Sequence, residues 1–213
     1  MKNLITIAVI ILAVSGLTHA TTSNTIVKYD FGIYNYETLD PCNPADHISA
    51  SDFGYVGDGA TSFTDHSGYG EGYQVYGGWP YSEYSDYFYF TVAIAPGWSL
   101  DLDATGLEFD ASTTNMSGPN LGRVTYLGNP ETIMRDNIEI GGSSWWNYDT
   151  YSLLPPTGLT GSVEFRIYGR EAYTYGTFSV DNVILNGTVN QIPEPTTICL
   201  LGLGALSLVR KKG

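Results

Sequence analysis

Residues 87–94 read YFYFTVAI, in which Phe88, Phe90, Val92 and Ile94 are apolar at every second position while Tyr87, Tyr89 and Thr91 carry hydroxyls between them. Strict alternation over eight residues marks a strand with one buried face, because successive side chains of an extended chain point to opposite sides. The same reading extends in both directions. Upstream, residues 25–31 place Val27, Tyr29 and Phe31 on one face. Downstream, residues 98–103 turn Leu100 and Leu102 inward, residues 106–110 turn Leu107 and Phe109 inward, and residues 121–127 continue the series. Residues 162–168 bury Val163, Phe165 and Ile167.

A final long strand is expected over residues 177–189. Phe178 and Val180 share one parity in it, and Val183, Leu185 and Val189 share the other, so the inward face changes phase at Asp181 and Asn182. An extra residue inserted there, a β-bulge, accounts for the change. Between residues 21 and 192 no stretch of ten or more residues has apolar side chains spaced at three and four, which leaves no long helix. Many short strands punctuated by Gly, Pro and Asn predict an all-β fold, an antiparallel two-sheet sandwich with a jelly roll as the first choice.

Outside this body lie two apolar ends. Residues 1–20, MKNLITIAVIILAVSGLTHA, place Lys2 before an apolar run over 4–17 and close on Thr18, His19 and Ala20. That is the layout of a secretory signal peptide, with signal peptidase expected to leave a mature chain beginning near Thr21. The sandwich domain is expected over residues 21–190 and a separate tail over 191–213. Of 22 acids only Glu194 lies beyond Ile192, and the basic residues from 21 to 192 are Lys28, Arg123, Arg135, Arg166 and Arg170. The body therefore sets 21 acids against five cations, a net charge of −16. Such a surface repels phosphate backbones and argues against nucleic acid as a partner.

The tail reads IPEPTTICLLGLGALSLVRKKG from Ile192. Pro193 and Pro195 oppose helix and keep Glu194 in an extended, accessible segment. The apolar stretch over 198–209 is a short hydrophobic helix by pattern. Counting Thr196 and Thr197, its 14 residues at about 1.5 Å each span roughly 21 Å of a bilayer core about 30 Å thick. Gly202 and Gly204 weaken it further. The basic cluster Arg210, Lys211 and Lys212 would stay on the cytoplasmic side. The membrane is thus expected to hold the chain only transiently.

Pro193-Glu194-Pro195, a short Leu/Gly-rich helix and a basic end, in that order, resemble the PEP-CTERM sorting signal. The resemblance implies recognition by an exosortase, a membrane cysteine transpeptidase, and delivery to the cell surface or the extracellular polysaccharide matrix. The body, through TIVKYDFG, SDYFYFTVAIAPGWSL, SGPN, GSVEFRIYG and GTFSVDNVILNGTV, is similar to an acidic β-sandwich found upstream of such tails that has no assigned activity. It departs from that pattern at NLGRVTYLGNPE, where the similar domains often carry a Ser-x-Asp-Gly-like segment.

Chemistry-bearing constellations are sparse. His47 and His66 lie in loop-like sequence without metal-like spacing, so no catalytic residue is expected. Cys42 and Cys199 belong to different segments, and Cys42 has no basic neighbour to activate it. Aromatics are the stronger signal. Trp79 lies in a Tyr-rich segment over 69–90, and Trp145 and Trp146 lie in SSWWNYDTY. Rings beside carboxylates and amides suit the apolar faces and hydroxyl rims of sugars, which makes these three tryptophans a candidate surface for extracellular polysaccharide. The alternative is that they simply cover the sheets. Finally, a jelly roll pairs its first and last strands, which would bring Asp30 near Asp181 and Asn182 as oxygen ligands for a structural calcium ion; two turn-forming acids near solvent are the alternative.

Overall fold

The computed structural model describes residues 24–32, 39–65, 71–113, 118–127, 131–140, 146–149, 156–170, 172 and 176–193. Among them are twelve strands: β1 Asn24–Tyr29, β2 Ile48–Ala50, β3 Gly54–Val56, β4 Ala60–Asp65, β5 Glu71–Tyr76, β6 Tyr87–Ile94, β7 Trp98–Thr113, β8 Leu121–Leu127, β9 Glu131–Glu139, β10 Trp146–Asp149, β11 Ser162–Arg170 and β12 Thr177–Gln191. The expected signal peptide and C-terminal helix lie outside the described residues. Among the described residues no helix is long and apolar enough to cross a membrane.

The strands form two antiparallel sheets, a sandwich of the jelly-roll kind. The first runs β10-β7-β12-β5-β4, with β1 added to β12; the second runs β2-β6-β11-β8-β9, with β3 added to β6. Strand β12 is central. One of its edges pairs with β7 from Phe178 opposite Thr113 to Gln191 opposite Trp98. Its other edge is shared, with Thr177 to Val180 on β5 and Val183 to Gly187 on β1. The change of partner falls at the expected bulge. The β12–β7 register shifts between Asp181 and Ile184, and Asn182 has φ of 47°. Val180 and Val183 are both fully buried across it, so the phase change keeps the apolar side inward.

Strand β7 unites two segments that the sequence reads as separate. Its excursion at residues 103–106 is an Asx-type turn, in which Asp103 Oδ1 accepts from the backbone N–H of Thr105 at 3.0 Å and of Gly106 at 2.9 Å.

Between the sheets lies an aromatic core. Phe88, Phe90, Phe165, Phe178, Phe109, Phe53 and Tyr29 are each at most 1% exposed. Phe90 stacks on Phe165 at 5.3 Å between ring centroids, and Tyr29 lies 5.1 Å from Phe90. Each such side chain contributes about 1.5–3 kcal/mol by burial, and each ring pair about 0.5–1.5 kcal/mol beyond that.

Candidate functional site

The outward side chains of the second sheet form a grid fixed by register. On β11, Phe165 and Ile167 point into the core, so Glu164, Arg166 and Tyr168 point out. Tyr168 lies opposite Tyr87 of β6 and Arg123 of β8, Arg166 opposite Tyr89 and Thr125, and Glu164 opposite Thr91 and Leu127. Edge strand β9 adds Glu131 and Asp136.

Two linked polar clusters cover this face. In the first, Arg166 donates to Glu164 at 2.6 Å and to the Tyr168 hydroxyl at 3.1 Å. Glu131 Oε1 accepts from Tyr168 at 2.8 Å and from Thr125 at 2.6 Å. The Arg166 guanidinium also lies 4.4 Å over the Tyr87 ring. In the second, Arg123 makes a two-pronged contact with Asp136, at 3.0 and 2.8 Å. Tyr84 donates to the same carboxylate at 3.2 Å, and its ring carries both Arg123 and Arg170, at 4.0 and 4.7 Å. Tyr168 joins the clusters, with ring centroids 4.9 Å from Tyr87 and 5.9 Å from Tyr84.

Electrostatics here follow the pairing. Burial alone would raise the Glu131 carboxyl, but hydrogen bonds from Thr125 and Tyr168 and the charge of Arg166 outweigh it and hold it below its ordinary value. Arg123 does the same for Asp136, with burial opposing. Tyr168 and Tyr84 are pushed up, first by burial and then by their carboxylate neighbours. A face with ionised carboxylates, protonated phenols and fixed guanidinium planes can hydrogen-bond hydroxyls and stack on flat apolar surfaces.

The sequence-predicted residues are placed differently. Trp79 is buried, 5% exposed, with its ring 5.1 Å from Phe178 and 5.5 Å from Phe88 and its Nε1–H donating to the Val75 carbonyl at 3.3 Å. It is a core residue, which corrects its expected place on a glycan surface. The turn that precedes it folds inward because Gly78 and Gly59 pack against each other, where a Cβ on Gly78 would lie 2.6 Å from the Gly59 nitrogen. Trp146 enters β10 opposite Ala111, and Trp145 lies outside the described residues.

The pairing expected for the calcium site forms, with Tyr29 of β1 opposite Val183 of β12. Asp30, however, meets Lys28 at 4.0 Å and accepts from the Cys42 thiol at 3.3 Å. Asp181 is 1% exposed and opposite Asp110, and Asn182 turns its side-chain nitrogen to both. A donor thus sits where a cation would. Among the described residues no group of three or more His, Cys, Asp or Glu side chains is arranged to hold a metal. Burial, followed by the Asp30 hydrogen bond, raises the Cys42 thiol and leaves it a poor nucleophile.

Sequence reasoning missed Arg123, Arg166 and Arg170. Three of only five cations in the body converge on one face, but they sit on two strands and only register brings them together. Their scarcity in so acidic a chain was the available signal.

Residues 191–212 match the family model described as the PEP-CTERM protein-sorting motif, so the chain carries that sorting motif over a range that includes Pro193, Glu194, Pro195, Arg210, Lys211 and Lys212. Of these, Pro193 is described structurally. No curated protein matches the chain. Among solved structures it is similar to the CBM22-1 xylan-binding domain of Xyn10C from Paenibacillus barcinonensis, at 9% identity over 83% of this chain and 99% of that one, with a TM-score of 0.49. It is also similar to a family 11 carbohydrate-binding module from Clostridium thermocellum, in complex with a mixed-linked tetrasaccharide. That likeness is 13% identity over 76% and 96% of the two chains, with a TM-score of 0.35.

Proposed function

We propose that this is an exported protein of the cell surface or extracellular matrix, processed at Pro193-Glu194-Pro195 by an exosortase after signal peptidase has removed residues 1–20. Its membrane contact is transient. Its body binds extracellular polysaccharide along the outer face of the second sheet. The observation that carries this reading is the row of half-buried Tyr87 and Tyr89 beside Arg166 and Arg123, laid over the covered Tyr168 ring, in a chain otherwise dominated by acids. On this face Glu131 and Asp136 are both held low, whereas a glycosidase acid needs a raised carboxyl, which favours binding over catalysis by these two groups.

Internal satisfaction of the same groups favours a second reading, a ligand-free spacer of the matrix, since Arg166 and Arg123 already hold carboxylates. A pull-down on the producer's own matrix polysaccharide separates the two. Binding lost in a Tyr87→Ala, Arg166→Ala double variant supports the binder. No retention of the folded wild-type protein supports the spacer.

A further inference from the structure

Strand β12 runs into the sorting motif without a linker. Gln191 is still paired with Trp98, and the backbone N–H of Ile192 donates to the Gly97 carbonyl at 2.8 Å, one residue before Pro193. Five residues separate Ile192 from Ile198, where the apolar stretch begins, and the six Cα-to-Cα steps, fully extended, reach at most about 22 Å. The headgroup layer takes roughly 5–8 Å of that. While the tail is inserted, this end of the sandwich stays beside the bilayer.

The end itself is suited to that place. It is built from residues 46–48, the 95–98 turn, residues 157–161 and the exit of β12. His47 stacks on Trp98 with centroids 3.7 Å apart and planes 11° apart, Pro96 is exposed, and Ile192 is 41% exposed. Gly97, Gly158 and Gly161 all have positive φ and face open space, which leaves the surface low. In these segments the exposed acid is Asp46, and there is no Lys or Arg. The Asp101 carboxylate borders this end, accepting from the Gly158 N–H and from the Asn190 side chain at 2.8 Å, so the end carries two acids and no cation.

We infer that the end bearing His47, Pro96, Trp98 and Ile192 is a membrane-apposed surface that rests on the lipid headgroup layer while the tail is inserted. This rests on the membrane-anchored stage of the proposed function. Tethering through so short a segment gives a high local concentration, so weak contacts suffice. Trp and exposed apolar side chains partition to the interface, and the lack of cations selects a zwitterionic over an anionic surface.

The test uses residues 21–213, the chain expected after signal peptidase, in phosphatidylcholine vesicles containing a headgroup-quencher lipid. In a Cys42→Ser, Cys199→Ser background, a fluorophore is placed at Pro96→Cys or, in a separate protein, at Tyr76→Cys. Tyr76 is 50% exposed and pairs with Thr177 at the opposite end of β12, about 45 Å away along the strand. Quenching at Pro96 is expected to exceed that at Tyr76 several-fold, and to fall to the Tyr76 level when twelve Gly/Ser residues are inserted between Ile192 and Pro193. Should Pro96→Cys fail to fold, Thr160→Cys on the neighbouring turn takes its place. Equal quenching at both ends of vesicle-bound protein overturns the inference. So does quenching that appears only with a reconstituted processing enzyme, which would make the partner a protein. Failure of the wild-type chain to float with vesicles overturns the anchored stage instead.

Discussion

Asn182 stands between two carboxylates, donating its side-chain nitrogen to Asp110 at 2.9 Å and to Asp181 at 3.3 Å. Its backbone N–H donates to Asp181 as well, at 2.7 Å, and its φ of 47° is one that Asn tolerates better than most residues. Asn182→Ala therefore removes the shared donor and strains the bulge together, an expected loss of about 2–4 kcal/mol in urea unfolding. Asn182→Gly keeps the backbone geometry and should cost less. A difference of under 0.5 kcal/mol between Ala and wild type would show that the bulge does not depend on this residue. Thermal melts in calcium and in chelator test the oxygen-ligand reading of Asp30, Asp181 and Asn182, which predicts a higher Tm in calcium.

Trp79 belongs to the core and not to a ligand surface. Trp79→Ala should destabilise by about 3–5 kcal/mol. Trp79→Phe, which keeps most of the ring, should lose the bond to Val75 and about 1–2 kcal/mol while leaving polysaccharide retention unchanged. Reduced retention by a folded Phe variant would return Trp79 to the binding surface.

Acid should weaken the second sheet first. Glu131 and Asp136 have folded values below their ordinary 4.5 and 3.8, so the stability they contribute is present above those values and is lost as pH falls through the lowered ones. Both side chains are partly exposed, so the effect is screened and modest. Between pH 5 and pH 2, Glu131→Gln and Asp136→Asn should each show a shallower fall of Tm than wild type. Parallel curves would place the acid-sensitive groups elsewhere.

Processing leaves a mass signature. The mature protein should end near Pro193-Glu194-Pro195 and lack the stretch over 198–213, as read by intact mass spectrometry. A product retaining those residues would identify a lasting membrane anchor.

The central strands were legible because their burial is one-sided. Strand β6 alternates as its sequence says, and so do β11 and the two halves of β7. Even the bulge in β12 could be read, since two runs of apolar residues of opposite parity cannot share one face without it. Edge strands were not legible. Strand β4, ATSFTD, and strand β9, with Ile133 51% exposed, have too little inward periodicity to stand out. The candidate site was hidden for a different reason: alternation tells which residues point outward, but only the pairing of β11 with β6 and β8 puts Tyr87, Tyr168 and Arg123 in one row. Trp79 misled because Gly77, Gly78 and Pro80 flank it like a surface turn, and nothing local shows that the turn closes over the core.

The central place of β12 has a consequence for the order of events during export. The first sheet needs its last strand between β7 and the pair β5 and β1, so the strand that leaves the translocation channel early must wait for one that leaves late. Contacts this distant in sequence close slowly. The first sheet therefore closes only after residue 191 has emerged, so on the proposed export route the body would reach its final fold no earlier than the moment its sorting motif meets the membrane.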